Sequence, residues 1–136
     1  MKKVLVLLMA SLSVFTSGCS KDDDPIPFNY PLEVLYGTWE GTGVYVNGNW
    51  IDPTSSWLYE DMRFSITFYP DGKYYGEGSF GTGHGTYNAT GDTILTYVDG
   101  EFYLKYIISS LLNNKAELTM IDSSGDSLRI RVTKKN

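Results

Sequence analysis

The chain has 136 residues, a formal charge of −5 and 15% aromatic residues, which points to one domain with ample apolar surface for a core and excludes a disordered polymer. An acidic chain repels phosphate backbones, and beyond the N-terminus its only basic cluster is the terminal pair Lys134–Lys135, which excludes nucleic acid as a partner. A single Cys and a single His exclude an intrachain disulfide and a four-ligand Cys/His zinc site.

Met1-Lys2-Lys3 is a short positive stretch, and Val4 to Phe15 is an apolar run of twelve residues. A spanning helix needs about 20 apolar residues, so this pattern reads as a cleaved export signal and not as an anchor helix. Thr16-Ser17-Gly18-Cys19 follows. Small residues before a lone Cys resemble the lipobox of bacterial lipoproteins. The resemblance implies cleavage before Cys19, acylation of its thiol and of the new N-terminus, and attachment to a membrane. Several acyl chains anchor stably where one is marginal. Loss of Lys2 and Lys3 with the signal takes the charge to about −7. Ser20-Lys21-Asp22-Asp23-Asp24 is either a solvated charge run or an address, since it resembles the surface-export signal of Bacteroidetes lipoproteins. That resemblance implies an exported protein on the outer membrane, exposed at the cell surface. Pro25 and Pro27 stiffen the stretch. The organisation expected is a signal over 1–18, a lipidated Cys with a polar tether over 19–34, and a folded domain over 35–136.

From Leu35 onward the apolar residues recur with period two. Phe64, Ile66 and Phe68 alternate with Arg63, Ser65 and Thr67; Leu128, Ile130 and Val132 alternate with Arg129, Arg131 and Thr133. Phe102, Leu104, Tyr106 and Ile108 share one face of a run, as do Ala116, Leu118 and Met120. Each pattern predicts a strand with one buried and one wet face. Pro70-Asp71-Gly72-Lys73, Thr90-Gly91-Asp92, Asp99-Gly100-Glu101, Asn113-Asn114 and Ser123-Ser124-Gly125-Asp126 supply the turns. Eight strands are expected, over 36–47, 62–69, 73–80, 84–90, 92–99, 102–110, 114–121 and 126–133. The fold class is all-β, and consecutive short hairpins make an antiparallel up-and-down meander. Closing it into an eight-stranded barrel buries the apolar faces and removes the edges.

Gly37-Thr38-Trp39 at the start of the first strand, Phe68-Tyr69-Pro70-Asp71-Gly72-Lys73-Tyr74, and Gly85-Thr86-Tyr87 followed by Gly91-Asp92-Thr93-Ile94 together resemble the lipocalin-like domains of the calycin superfamily. The resemblance implies that Trp39 packs near the closed end of the barrel, with Arg131 or Arg129 of the last strand lying across it as a structural cation–π contact. It also implies a barrel that binds a small apolar ligand, with Tyr45, Phe64, Phe68, Tyr74, Tyr87, Phe102 and Tyr106 as candidate lining. The residues themselves leave a second reading open: such bulk can fill an eight-stranded interior, and these side chains are then core.

The connection from Gly48 to Asp61 is long and carries Trp50, Trp57 and Tyr59. Long connections in compact domains are often functional, and aromatic residues with polar neighbours suit a glycan or a protein partner. The alternative is a lid whose Trp57 and Leu58 plug one end of the barrel. The glycines at 76, 78, 81, 83 and 85 lack the strand–loop–helix context of a phosphate cradle and read as bulges or close packing. A lone His84 without a partner is a poor catalyst, and Asp52, Glu60 and Asp61 lack the spacing of a calcium loop. No catalytic set, metal site or cofactor is expected. The Asn88-Ala89-Thr90 sequon reads as coincidence in a bacterial lipoprotein.

Overall fold

A computed structural model describes residues 26–135; the expected signal over 1–18, Cys19 and the run over 20–24 lie outside the described residues. Strands β1 (Gly37–Val46), β2 (Asn49–Ile51), β3 (Phe64–Phe68), β4 (Lys73–Gly78), β5 (Gly83–Thr90), β6 (Thr93–Val98), β7 (Glu101–Leu112), β8 (Lys115–Asp122) and β9 (Ser127–Lys134) form one antiparallel sheet. Each strand from β3 to β9 pairs with the next, β3 also pairs with β1, and β1 pairs with β9. The result is a closed eight-stranded up-and-down barrel, with the short β2 as an additional strand on β1. Closure leaves the eight long strands without a free edge.

The alternation read from the sequence is what fills the barrel. Phe64, Ile66 and Phe68 of β3, Ala116, Leu118 and Met120 of β8, and Ile130 and Val132 of β9 are all buried in one cluster. The register shifts at three places, between β1 and β9, β6 and β7, and β7 and β8, and the first two fall at residues expected to line the barrel. On β1 the pairing with β9 shifts between Gly41 and Gly43, so Trp39 and Val44 both point inward and Tyr45 turns outward beside Trp50, its register partner. On β7 the pairing with β6 shifts, so that Tyr103 and Leu104 together face Thr96, and Phe102 falls opposite Tyr97. Tyr45, expected from strict alternation to face inward, is therefore corrected to the outer face; Phe102, also expected inward, stands at the rim of the mouth, 38% exposed, beside Tyr103 and Leu104. Thr96, with no accessible surface, closes the second bulge: its hydroxyl donates to the Leu104 carbonyl at 2.8 Å and accepts from the Leu104 N–H at 3.0 Å.

The base of the barrel is the pole where β1 begins. A 3-10 turn, Leu32–Val34, leads into the buried Leu35, whose carbonyl accepts the Trp39 indole N–H at 2.9 Å. The cation over Trp39 is Lys134, with Nζ 5.2 Å from the ring centroid. Arg131, expected there, is on the outer face, because it alternates with the inward Ile130 and Val132. Burial lowers the Lys134 pKa. Residues 26–34, expected to be tether, belong to the folded part: Phe28 bridges Gly91, the Asn29 N–H donates to the Gly91 carbonyl at 2.8 Å, and the Gly91 N–H donates to the Pro27 carbonyl at 2.9 Å.

Candidate functional site

The interior is the first place to look for a ligand, and its side chains fill it. Trp39, Phe64, Phe68, Tyr74 and Tyr106 are each at most 5% exposed and belong to the core. Tyr87 is half-buried at the base, its ring 4.8 Å from that of Phe68 and its hydroxyl donating to the Tyr69 carbonyl at 2.8 Å. Among the core residues one cavity of about 20 Å³, wholly apolar, lies between Trp39, Phe68, Ile94 and Leu118. A void of that size and lining stays dry. A second space of about 20 Å³ touches Tyr74, Tyr103 and Tyr106 and has the volume and polar neighbours for one water. Burial raises the phenol pKa values of Tyr74, Tyr87 and, most strongly, Tyr106.

The mouth, where β1 ends, is narrowed by Phe80 and Tyr103. The Phe80 ring packs tilted against Phe64 with centroids 4.7 Å apart, and the Tyr103 hydroxyl donates to the Phe80 carbonyl at 2.5 Å. Trp57 and Leu58, the alternative plug, do not reach the interior: they are 78% and 67% exposed.

The connection that carries them is an excursion within one barrel strand. β2 and β3 pair with the same edge of β1, β2 through Val44↔Ile51 and β3 through Glu40↔Ser65. Four steps along β1 correspond to fourteen along the other strand, so ten residues are extra. They leave the sheet after Ile51 and return at Phe64, as an Ω-type loop does. The start of β2 is set by Asn47 and Gly48, both at positive φ (51° and 84°), the two-residue hairpin turn that an Asn-Gly pair favours. Trp50, expected to lie outside regular structure, is therefore strand, and half-buried.

Polar contacts fix the loop's shape. Asp52 Oδ1 accepts from the Thr54 N–H (2.8 Å) and hydroxyl (2.6 Å), and the Asp52 carbonyl accepts from the Ser55 hydroxyl at 2.7 Å. Pro53 is fully buried, and its carbonyl accepts from Arg63 Nε at 3.2 Å. Ser56 caps the 3-10 helix Trp57–Met62 by accepting from the Leu58 N–H. The returning chain is pinned to the β4–β5 turn, where the Ser79 N–H donates to the Arg63 carbonyl at 2.9 Å. Gly78 (φ 110°) lies so close that a Cβ there would run into the Arg63 carbonyl. Within this frame Met62 packs on the core, Tyr59 is half-buried, and Trp57, Leu58, Glu60 and Asp61 face solvent.

Trp50 and Tyr45 belong to a separate outer-face cluster. The Arg131 guanidinium lies 3.8 Å from the Trp50 ring centroid and that of Arg129 4.9 Å from Tyr45. Glu117 bonds both arginines, at 2.8 Å to Arg129 and 3.3 Å to Arg131, and its pKa is lowered, chiefly by the bond from Arg129. This cluster fastens the β1–β2 hairpin to β9 and β8. Of the three surface residues named from the sequence, Trp57 is the one displayed; Trp50 is held under Arg131 and Tyr59 is partly covered. Leu58, the exposed neighbour of Trp57, has no sequence signal of its own as a contact residue, because a lone Leu in a loop reads equally well as a plug.

His84 is exposed on β5 opposite Tyr75, and among the described residues no three His, Cys, Asp or Glu side chains converge on one point. In comparisons with known proteins, the chain matches no family model, no curated protein and no solved structure.

Proposed function

We propose that this chain is an exported lipoprotein, attached to the outer membrane by lipid on Cys19, whose lipocalin-like barrel is a solid platform that binds a protein partner through Trp57 and Leu58. The observation that carries the reading is the display of a Trp at 78% exposure on a loop whose backbone is held by its own hydrogen bonds. A Trp side chain offers about 200 Å² of apolar surface; covering it returns about 3–5 kcal/mol before the costs of association. Because the loop is already ordered, little of that gain goes into fixing its shape.

The neighbours favour a protein over a glycan. A sugar face needs polar groups beside the ring, whereas the residue next to Trp57 is an exposed Leu. The carboxylates of Glu60 and Asp61, one turn further on, suit an apolar pocket with a cationic rim. The placement fits an anchored protein as well. The chain enters the barrel at its base, and the loop sits at the mouth, so lipid on Cys19 leaves the loop directed away from the membrane.

A photo-crosslinking phenylalanine analogue at position 57, in cells that produce the protein, tests the contact. One discrete protein adduct is expected, lost when Glu60 and Asp61 are both changed to Lys. Crosslinks only to lipid or glycan, or an adduct indifferent to charge reversal, overturn the reading. Labelled fatty acid is expected on the protein and absent from Cys19→Ser; label persisting on that variant overturns the lipoprotein assignment.

A further inference from the structure

The mouth holds a second feature, independent of the Trp57 loop. Between the β4–β5 turn and the β8–β9 turn lies a cleft of about 440 Å³, within the ~300–1,000 Å³ range of small-molecule sites. We infer that this cleft binds a small organic ammonium ion with an apolar body. Three aromatic rings, Phe80, Phe102 and Tyr103, form one side of it, and Leu104 and Met120 its floor. Asp122, the register partner of Leu104, and Asp126 of the β8–β9 turn also line it, and no Lys or Arg does among the described residues.

Each part has a physical reason to select a cation. Aromatic faces carry negative electrostatic potential and attract ammonium groups, most strongly where water is displaced. The Tyr103 ring is held in place by the hydrogen bond from its hydroxyl to the Phe80 carbonyl, so two of the three rings are fixed relative to each other before a ligand arrives. Asp122 Oδ1 accepts three hydrogen bonds inside the turn: from the Ser124 hydroxyl at 2.6 Å, the Ser124 N–H at 2.9 Å and the Asp126 N–H at 3.0 Å. Those bonds hold the carboxylate at the cleft. Neither Asp122 nor Asp126 forms an ion pair among the described residues. An anionic ligand would meet two carboxylates and no counter-charge. A neutral apolar one would use the rings and the floor and leave the carboxylates unpaired. An ammonium ion with an aryl or alkyl body uses all three.

The test holds the body constant and varies the charge. Benzyltrimethylammonium, benzyl alcohol and phenylacetate are titrated into the purified ¹⁵N-labelled protein, and binding is followed from the amide shifts of Tyr103, Asp122 and Asp126. The cation is expected to bind at least about tenfold more tightly than the alcohol, and phenylacetate more weakly than either. Asp126→Asn, which keeps the backbone N–H that the turn needs, is expected to reduce the preference for the cation several-fold and leave benzyl alcohol unchanged. Leu128→Trp, which fills the cleft from β9, is expected to abolish all three. Equal affinities for cation and alcohol, or a preference for phenylacetate, overturn the inference. So does cation binding that survives Leu128→Trp in a variant with a native-like spectrum, since the site then lies elsewhere.

Discussion

Replacing Thr96 by Val separates two explanations of why that position is buried. The side chain has no accessible surface, and by burial alone the nearly isosteric Val should be neutral or better. The hydrogen bonding says the opposite. At the bulge, Leu104 is paired with Asp122 of β8 but has no register partner on β6, and on that side the Thr96 hydroxyl serves both its carbonyl and its N–H. Valine leaves both groups buried and unpaired, at roughly 1–3 kcal/mol each, tempered by whatever relaxation the bulge allows. The expected loss is about 2–4 kcal/mol, or roughly 10–20 °C in melting temperature for a domain of this size. Ser keeps the hydroxyl and loses one methyl, so Thr96→Ser should cost only about 1 kcal/mol. Urea unfolding of the three proteins with a common m-value reads the difference. If the Val protein matches or exceeds the parent while the Ser protein is weaker, the hydroxyl is not what closes the bulge.

Trp39→Ala should lose about 3–5 kcal/mol, as expected for a fully buried Trp, and Trp39→Phe about 1 kcal/mol of that through the lost bond to Leu35; an unchanged melting temperature in the Ala variant would remove Trp39 from the base. Gly78→Ala should cost at least about 2 kcal/mol, because it combines a positive φ with a Cβ against the Arg63 carbonyl; protease cutting within 52–63 should rise with it, and no change in either measure would mean the loop is not pinned there. Alkaline stability follows from the buried phenols. Tyr74, Tyr87 and Tyr106 stay protonated above the ordinary value of 10.0 in the fold, while the unfolded chain ionises there, so stability is full below about pH 10 and falls as pH rises past it. Lys134, lowered by burial, acts in the opposite sense but is one group against three; a urea midpoint that stays flat or rises from pH 9 to 11.5 contradicts this account. At the acid end Glu117 and Asp122, both lowered by their hydrogen bonds, contribute stability above their ordinary 4.5 and 3.8 that is lost as pH falls through that range.

Much of the barrel is legible in the chain, because period-two alternation and turn residues are local signals. Where the alternation restarts is not legible. A bulge costs one residue and leaves no compositional mark, so strict alternation assigns Tyr45 the wrong parity once Thr42 has added a step, and gives no warning of the step at Tyr103 that leaves Phe102 at the rim. Other features do carry a local signal. Asn47-Gly48 is a strong hairpin pair, and that pair by itself puts Trp50 on a strand. The parity that puts Ile130 and Val132 inside also puts Lys134 there and Arg131 outside, so the identity of the cation over Trp39 follows from β9 alone. The mouth cleft is different in kind. Phe80, Tyr103 and Asp122 are far apart in sequence and come from three separate turns and strands, and only closure of the barrel brings them to one place.

The bonds between Pro27–Asn29 and Gly91 set the length of the leash. Counted to Leu35, where the sequence suggests that the fold begins, fifteen residues separate the barrel from Cys19, and the sixteen Cα–Cα steps, fully extended, reach about 55 Å. With the chain held at Gly91, only the six residues 20–25 lie between Cys19 and Ile26, and the seven Cα–Cα steps reach about 25 Å. Under the proposed attachment through Cys19, the base would stay within that distance of the bilayer and Trp57 would be confined to a thin shell above the surface. Within that shell its effective concentration toward a partner anchored in the same membrane is raised by confinement alone.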